Sequence, residues 1–254
     1  NRVVGAGQRD IAVRSVAVSP DQRLLISTGQ ELGYLDTQQR FSAIAIQATE
    51  PLSVVQDIEF VQDKLLLATD TGPRLLHANG LLEFWLPALK GVKTKAIKPR
   101  RAGGYWLATS QGLYSWEQGD TAQPFAFNRE FESSAVTFVQ ELSDRLLIGT
   151  TRGAYQLKAG KLLRLGVGSN LYNAFITTML QLSDGRLLVA TIDDGLFLWH
   201  SDGRWLQYDS ANGLPFEPVV SLLQPTDSTS VWASTLKGIF RFQPTQLVGG
   251  ASDQ

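Results

Sequence analysis

A motif of about 41 residues recurs along the chain, and it constrains the fold more than any other feature of the sequence. Each copy has a short apolar run that ends in threonine, then a few polar residues, a glycine and an alternating apolar segment. Successive threonines are separated by 41, 40, 41, 41 and 44 residues. The six apolar runs are residues 24–28, 65–69, 105–109, 146–150, 187–191 and 231–235. Self-similarity with a period in the low forties is typical of β-propellers, in which each repeat forms one blade.

Each repeat reads as four short strands joined by tight turns. A β-branched alternating segment such as 13–18 precedes the threonine-ending run, and a third segment such as 154–157 follows the glycine. A second turn leads into a fourth apolar stretch, such as 205–208. Alternating segments separated by turn residues indicate antiparallel hairpins. Because one such sheet cannot bury both of its faces alone, sheets of this kind stack radially. The sequence therefore predicts an all-β fold, a β-propeller of six four-stranded antiparallel blades.

The length bears on the number of blades. Six units need about 248 of the 254 residues, whereas seven would need roughly 287. The sixth repeat has three strands, and residues 1–6 precede the first repeat without a blade of their own. We therefore expect residues 1–6 to complete the sixth blade and close the ring, which would protect its edges; a fragment of a larger ring is the alternative. The predicted organisation is one domain at 1–247, with repeats at about 13–46, 55–87, 94–128, 135–167, 176–209 and 219–244 and a tail at 248–254.

The composition limits the function classes. The chain has no Cys, two His and a formal net charge of −1. Cysteine nucleophiles, iron–sulfur clusters and Cys-based zinc sites are excluded, and the charge argues against nucleic-acid binding, which usually requires a basic surface. No apolar run approaches membrane-spanning length, so we expect membrane attachment only through a flanking segment. Because no catalytic triad spacing, H-E-x-x-H motif or phosphate loop occurs, we predict no catalytic residue, no metal and no cofactor.

The last repeat carries a family resemblance. Residues 211–215 read A-N-G-L-P and lead into V-V-S-L-L at 219–223 and V-W-A-S-T-L-K-G-I-F-R-F at 231–242. These segments resemble the two-component-regulator propeller repeat, and similar copies cover nearly the whole chain. The resemblance implies a periplasmic or extracellular input domain of a bacterial receptor, with a histidine kinase or diguanylate cyclase as output. It also implies glycan ligands and a homodimer in the full-length receptor. Full sensors of this family commonly have seven-bladed rings, which this repeat count does not match.

The ligand is expected on the face of the ring that carries the loops from second to third strands and from blade to blade. Such loops vary freely on a rigid scaffold. Aromatic side chains there can stack on a sugar or polar peptide while amides, carboxylates and arginine fix its orientation. The alternative at each position is an ordinary exposed loop residue. The candidates, from blades four to six, are Arg152, Tyr172, Asn173, Asp193, Asp194, Phe216 and Glu217.

A run of cations has two interpretations. It is either an anion- or polysaccharide-binding edge or a solvated loop with one or two lysines that face the channel. Its members, within twelve residues that contain no acid, are Lys90, Lys93, Lys95, Lys98, Arg100 and Arg101.

The predicted function is a non-enzymatic sensory domain that binds a small polar ligand or an oligosaccharide. One alternative is a protein–protein interaction scaffold, which predicts a broad exposed apolar patch. The second is a propeller lyase or glycoside hydrolase, which predicts two converging titratable groups.

Overall fold

A computed structural model of the chain describes residues 2–3, 11–28, 31–38, 40–199 and 203–244. These residues fall into two compact units, 1–139 and 140–254. They form six blade sheets and contain no α-helix, only three short 3-10 helices at Pro87–Leu89, Asn128–Phe131 and Asn170–Asn173. The predicted fold class, an all-β propeller with six blades, is confirmed. The single-domain organisation stays a prediction, and the tail at 248–254 lies outside the described residues.

The first unit contains a two-stranded sheet and blades one to three. Its strands are β1 (Arg2–Val3), β2 (Ile11–Ala12), β3 (Ser15–Val18), β4 (Leu24–Ser27), β5 (Leu32–Leu35), β6 (Phe41–Ala43), β7 (Gln47–Ala48), β8 (Val55–Val61), β9 (Lys64–Thr69), β10 (Gly72–Leu76), β11 (Leu81–Phe84), β12 (Thr94–Pro99), β13 (Tyr105–Thr109), β14 (Gly112–Trp116) and β15 (Gln123–Pro124). Blade one has the order β3-β4-β5-β6 and blade three the order β12-β13-β14-β15. Blade two has five strands rather than four, because β7 pairs in parallel with the edge strand β11.

The second unit contains blades four to six, and the boundary between the units falls within the first strand of blade four. Its strands are β16 (Val136–Glu141), β17 (Arg145–Thr150), β18 (Gly153–Lys158), β19 (Lys161–Arg164), β20 (Ile176–Gln181), β21 (Leu187–Thr191), β22 (Leu196–Trp199), β23 (Trp205–Tyr208), β24 (Val219–Leu223), β25 (Val231–Thr235) and β26 (Ile239–Phe242). Blades four and five have four strands each in chain order, and the described part of blade six has three, β24-β25-β26.

The predicted closing strand is wrong for the residues that the structure describes. Arg2 pairs with Ala12 and Val3 with Ile11, so β1 and β2 form a separate antiparallel sheet. A partner close in sequence closes a short loop, and short loops cost less chain entropy than long ones. Residues 1 and 4–6 of the predicted strand lie outside the described residues.

Apolar residues of neighbouring blades pack together inside each unit. Leu25 of blade one, Val55 and Leu67 of blade two are fully buried in one cluster. In the second unit, Leu188 of blade five and Val219 of blade six are fully buried in another. Stacking of this kind buries the apolar face that a single blade would leave exposed.

The repeated threonine closes the turn between the second and third strands. Thr150 is fully buried; its hydroxyl donates to the carbonyl of Gly153 at 2.8 Å and accepts from the amide of Arg152 at 3.0 Å. Gly153 has φ of +114°, a conformation that a residue without a Cβ adopts without strain. The same pair of bonds is made by the hydroxyls of Thr69, Thr109, Thr191 and Thr235. The turn itself therefore explains the fixed spacing of threonine and glycine in the repeat.

Replacing Thr150 with valine is expected to lower the free energy of unfolding by about 2 kcal/mol, because the carbonyl of Gly153 and the amide of Arg152 each lose a hydrogen bond. The Thr150→Ser variant keeps the hydroxyl and should lose only about 1 kcal/mol, for the missing methyl group. Urea unfolding followed by tryptophan fluorescence measures both values. Equal destabilisation of the two variants would show that the hydroxyl contributes nothing.

The first strands of blades two, three, five and six carry a β-bulge at their second residue. The register shifts between Val55 and Asp57 in β8 and between Thr94 and Ala96 in β12. Corresponding shifts occur in β20 and β24. A bulged residue is left out of the ladder and its side chain is re-aimed. The four residues inserted in this way are Gln56, Lys95, Thr177 and Val220.

Candidate functional site

The predicted site residues all lie at one edge of the blades of the second unit. Alternate strands of an antiparallel sheet run in the same direction, so the turn after each second strand and the connection after each fourth strand share an edge. Arg152, Asp193 and Asp194 lie in turns of the first kind, whereas Tyr172, Asn173, Phe216 and Glu217 lie in connections of the second kind. We call this set of segments, residues 150–153, 165–175, 191–195, 209–218 and 235–238, the loop edge.

Arg164, at the end of β19, holds the first part of the loop edge together. Its Nη2 donates to the carbonyl of Arg152 at 2.7 Å and to Oδ1 of Asn173 at 2.8 Å. Its Nε donates to the carbonyl of Tyr172 at 3.0 Å, and the guanidinium lies 4.0 Å from the centroid of that ring. Three predicted residues therefore surround one guanidinium. The side chains of Arg152 and Asn173 remain exposed, and Tyr172 is half-buried.

Gln207 of β23 joins the next two segments. Its Nε2 donates to the carbonyl of Asp194 at 3.0 Å, and its Oε1 accepts from Nδ2 of Asn170 at 3.3 Å. The backbone carbonyl of Gln207 accepts from Nδ2 of Asn212 at 3.2 Å. The backbone of the Asp194 turn is fixed in this way, while the side chain of Asp193 is exposed to solvent.

Glu217 and Phe216 occupy the last part of the loop edge. Oε1 of Glu217 accepts from the amide of Ser210 at 2.8 Å, and a Cβ built on Gly195 would approach the same oxygen at 3.1 Å. Phe216 is 40% exposed, and Nζ of Lys237 lies 5.9 Å from its ring centroid.

The structure thus brings all seven predicted residues to one edge and connects their segments through two further residues, Arg164 and Gln207. None of the seven side chains hydrogen-bonds directly to another of the seven. Arg164 and Gln207 link their segments instead. The sequence analysis missed Arg164 and Gln207 because both belong to fourth strands, where the repeat suggested only packing positions. The position of Arg164 as the last residue of a fourth strand, next to the loop edge, was a usable signal.

A cavity that the sequence did not predict lies between blades one and two of the first unit. Its volume is about 350 Å³, within the range of small-ligand pockets. Tyr34 and Phe60 line it together with Arg23, Lys64 and His77, and the guanidinium of Arg23 lies 4.0 Å from the Tyr34 ring centroid. Most of its polar lining comes from turns between first and second strands, at the edge opposite to the one chosen from the sequence.

Carboxylates from other segments approach most of the cation run. Lys90 is paired with Glu50, and the other ion-pair distances are 2.8 Å for Lys93–Asp70, 2.8 Å for Lys98–Asp57 and 2.9 Å for Arg100–Glu117. The absence of acids within the run therefore did not reveal its charge balance, since the partners are distant in sequence. Lys95 differs from these four residues, because Nζ donates at 2.9 Å to the uncharged Oε1 of Gln56.

The described ranges contain neither a membrane-crossing helix nor a cluster of metal-ligating side chains. No helix there is long and apolar enough to cross a membrane. Nor does the same part of the chain contain a group of three or more His, Asp or Glu side chains placed to hold a metal ion.

Comparisons with known proteins show the fold. No protein-family model matches the sequence, and no curated protein matches it significantly. The extracellular domain of BT4673 from B. thetaiotaomicron, described as a one-component system, superposes with a TM-score of 0.76 at 16% identity over 95% of this chain. The extracellular domain of the hybrid two-component system BT3049 from the same organism gives 0.70 at 16% identity over 92%. This chain spans about a third of the length of these two domains, 34% in each case.

An enzyme has the same fold. Virginiamycin B lyase from Staphylococcus aureus superposes with a TM-score of 0.66 at 9% identity, over 91% of this chain and 84% of the lyase. The propeller fold of this chain therefore resembles both extracellular domains of signalling systems and a lyase.

Proposed function

We propose that this chain is the ligand-binding input domain of a bacterial receptor and that its loop edge binds a small polar ligand or an oligosaccharide. The repeat resemblance and the likeness in fold to two extracellular domains of signalling systems support this proposal. The observation that carries it is that some residues of the loop edge fix its backbone while others expose their side chains to solvent. Arg164 and Gln207 fix the backbone of the loops, while Arg152, Asp193 and Phe216 keep exposed side chains. Preorganised loops lose little conformational entropy when a ligand binds.

The exposed groups suit a ligand with several hydroxyl groups. Carboxylates such as that of Asp193 accept hydrogen bonds from hydroxyls, and Arg152 and Lys237 donate them. The ring of Phe216 offers an apolar face on which a sugar ring can stack. In a full-length receptor, a ligand that contacts turns of three blades would change blade or dimer packing outside the cytoplasm and so pass the signal on.

Asp193→Asn and Phe216→Ala are each expected to weaken ligand binding about tenfold, because each removes one contact worth roughly 1.4 kcal/mol. Both side chains are exposed, so the melting temperature should not change. The ligand is found first by thermal-shift screening against sugars, oligosaccharides, amino acids and nucleotides, and calorimetry then measures affinity. Asp227→Asn, an exposed residue in the turn between β24 and β25 at the opposite edge, is the matched control. Equal weakening by the control, or no ligand in the panel, counts against the loop edge.

A lyase is the second candidate, because this chain covers 84% of the S. aureus lyase but only 34% of each signalling domain. We propose that the domain is not an enzyme. The test is to incubate the domain with virginiamycin B and to follow the mass of the antibiotic by mass spectrometry. An unchanged mass spectrum is expected. Turnover that Asp193→Asn or Glu217→Gln abolishes would replace the sensor proposal with an enzyme.

The scaffold alternative predicts an apolar patch at the loop edge, and most exposed apolar residues of blade six lie elsewhere. Leu223, Trp232 and Ile239 are 60%, 43% and 61% exposed, and all three are on strands of the sheet. The loop edge itself also exposes apolar side chains, at Val167, Phe175, Ile192, Phe216 and Leu236. They stand among exposed polar groups such as Arg152 and Asp193, so the loop edge suits a polar ligand with an apolar face, and the scaffold stays the alternative.

A further inference from the structure

Two bulged residues of the first unit, Gln56 and Lys95, hydrogen-bond to each other across neighbouring blades. Nζ of Lys95 donates to Oε1 of Gln56 at 2.9 Å, and Nε2 of Gln56 donates to Oδ1 of Asp70 at 2.9 Å. Asp70 also accepts Nζ of Lys93 at 2.8 Å. Because Asp70 engages the amide nitrogen of Gln56, the amide oxygen is turned towards Lys95. The ammonium group of Lys95 is therefore held in place by a neutral partner.

The surroundings of Lys95 have an excess of positive charge. Arg14 and Lys93 both act on it as like charges, and Asp70 and Asp57 as opposite charges. Each of these carboxylates already has its own cation: Asp70 pairs with Lys93, and Asp57 pairs with Lys98 at 2.8 Å. Asp57 also accepts the amide of Ile97 at 3.0 Å. Lys95 and Arg14, whose side chain is exposed, are left as the two cations without a carboxylate among the described residues. The remaining acid on β8, Glu59, is half-buried, and burial raises its pKa while Lys98 opposes that shift.

The ammonium group of Lys95 is both accessible and surrounded by protein. Its side chain is exposed to solvent, yet the protein around it lowers its pKa, and Lys93 adds to that effect. The ammonium group is thus open to water while protein atoms, among them Oε1 of Gln56, lie close to it. An anion that reached it would meet a charge partly shielded from water by protein, and such charges interact more strongly than fully hydrated ones.

We propose that Lys95, flanked by Arg14 and Lys93, binds a compact oxyanion, the carboxylate, sulfate or phosphate group of a ligand. Lysine offers three donors, of which Gln56 takes one, so two remain for the anion. Arg14 adds a further positive charge, smaller in its effect on Lys95 than that of Lys93. This oxyanion site belongs to the first unit and shares no residue with the loop edge, so each can fail without the other.

The test is an NMR titration of the ¹⁵N-labelled protein with sodium phosphate and, separately, sodium acetate, with sodium chloride holding the ionic strength constant. Saturable shifts are expected at the amides of Arg14, Gln56 and Lys95 with at least one of the two anions. Lys95→Gln should weaken binding about tenfold, since it removes a charge-assisted hydrogen bond, and Arg14→Gln should weaken it as well. Lys161→Gln makes the same change at the exposed first residue of β19 in the second unit and should leave the affinity unchanged.

The outcomes separate the ligand classes. Saturation by phosphate alone identifies a tetrahedral anion, saturation by acetate alone a carboxylate, and saturation by both a general oxyanion site. Linear, unsaturated shifts with both anions would overturn the proposal, as would equal affinities of Lys95→Gln and the unmodified protein. A well-dispersed spectrum of each variant shows that it is folded before its affinity is interpreted.

Discussion

Replacing Arg74 with alanine is expected to lower the free energy of unfolding by about 4 kcal/mol, since the change leaves a large cavity and removes one hydrogen bond from each of two carbonyls. Arg74, in β10, is only 1% exposed. Its Nε donates to the carbonyl of Glu83 and its Nη2 to that of Glu50, both at 3.3 Å. The guanidinium lies 4.1 Å from the ring centroid of Phe84. One side chain therefore ties the connection between blades one and two to β11 of blade two.

The control for this prediction comes from the repeat itself. At the position two residues after the turn glycine, blades three to six have aromatic residues, among them Tyr155 and Phe197, which are 4% and 1% exposed. Arg74→Tyr restores that pattern and should cost less than half as much as alanine. Burial lowers the pKa of Arg74, and exchanging a buried charge for a well-packed apolar group is often neutral. Chemical denaturation measures all three proteins; a loss below about 1 kcal/mol for alanine would contradict the assigned role.

Gly153→Ala is expected to lower the free energy of unfolding by about 4 kcal/mol, from backbone strain and from overpacking. Gly153 has φ of +114°, and a Cβ there would lie 2.5 Å from the carbonyl oxygen of Tyr172. That carbonyl accepts Nε of Arg164, so relief of the clash would displace the clamp that organises the loop edge. Ligand affinity at the loop edge should therefore fall together with stability.

Gly160→Ala isolates the effect of the backbone conformation. Gly160 lies in the same blade at the opposite edge, with φ of +73° and no atom within 4 Å of a built Cβ. It should cost only about 1 kcal/mol and leave ligand affinity unchanged. Calorimetric unfolding and ligand titration of both variants provide the comparison. If the two alanine variants lost equal stability, the contact with Tyr172 would not be the cause.

The sequence was sufficient to predict the blades because each depends on local rules that repeat. The threonine and glycine of each copy close one turn through two hydrogen bonds. The apolar segments on either side of that turn are the two strands that it joins. Departures from four strands come from segments outside the repeat. Gln47 and Ala48 of β7 add a fifth strand to blade two, and Arg2 and Val3 pair with β2. Nothing in the repeat encodes such edge contacts, since they depend on where a connecting segment happens to run.

The candidate site could be predicted by location but not by contacts. Loop positions such as Asp193 and Phe216 follow from the repeat, because the edge that carries them is fixed by strand direction. Arg164 and Gln207 could not be recognised, since their roles depend on side-chain reach between segments that are not neighbours in sequence. Lys95 was included in a run of six similar cations, and only the structure distinguishes it from the paired residues around it.

At the bulged position of a first strand, the type of side chain can change without a change in how the sheet folds. Gln56, Lys95, Thr177 and Val220 are an amide, a cation, a hydroxyl and an aliphatic group at one structural position. Since the bulge leaves this residue outside the ladder, exchanging it should alter what the blade can recognise while the sheet retains its register. Protein engineers could use this position to graft new specificities one blade at a time, and natural divergence of such repeats can proceed by the same route.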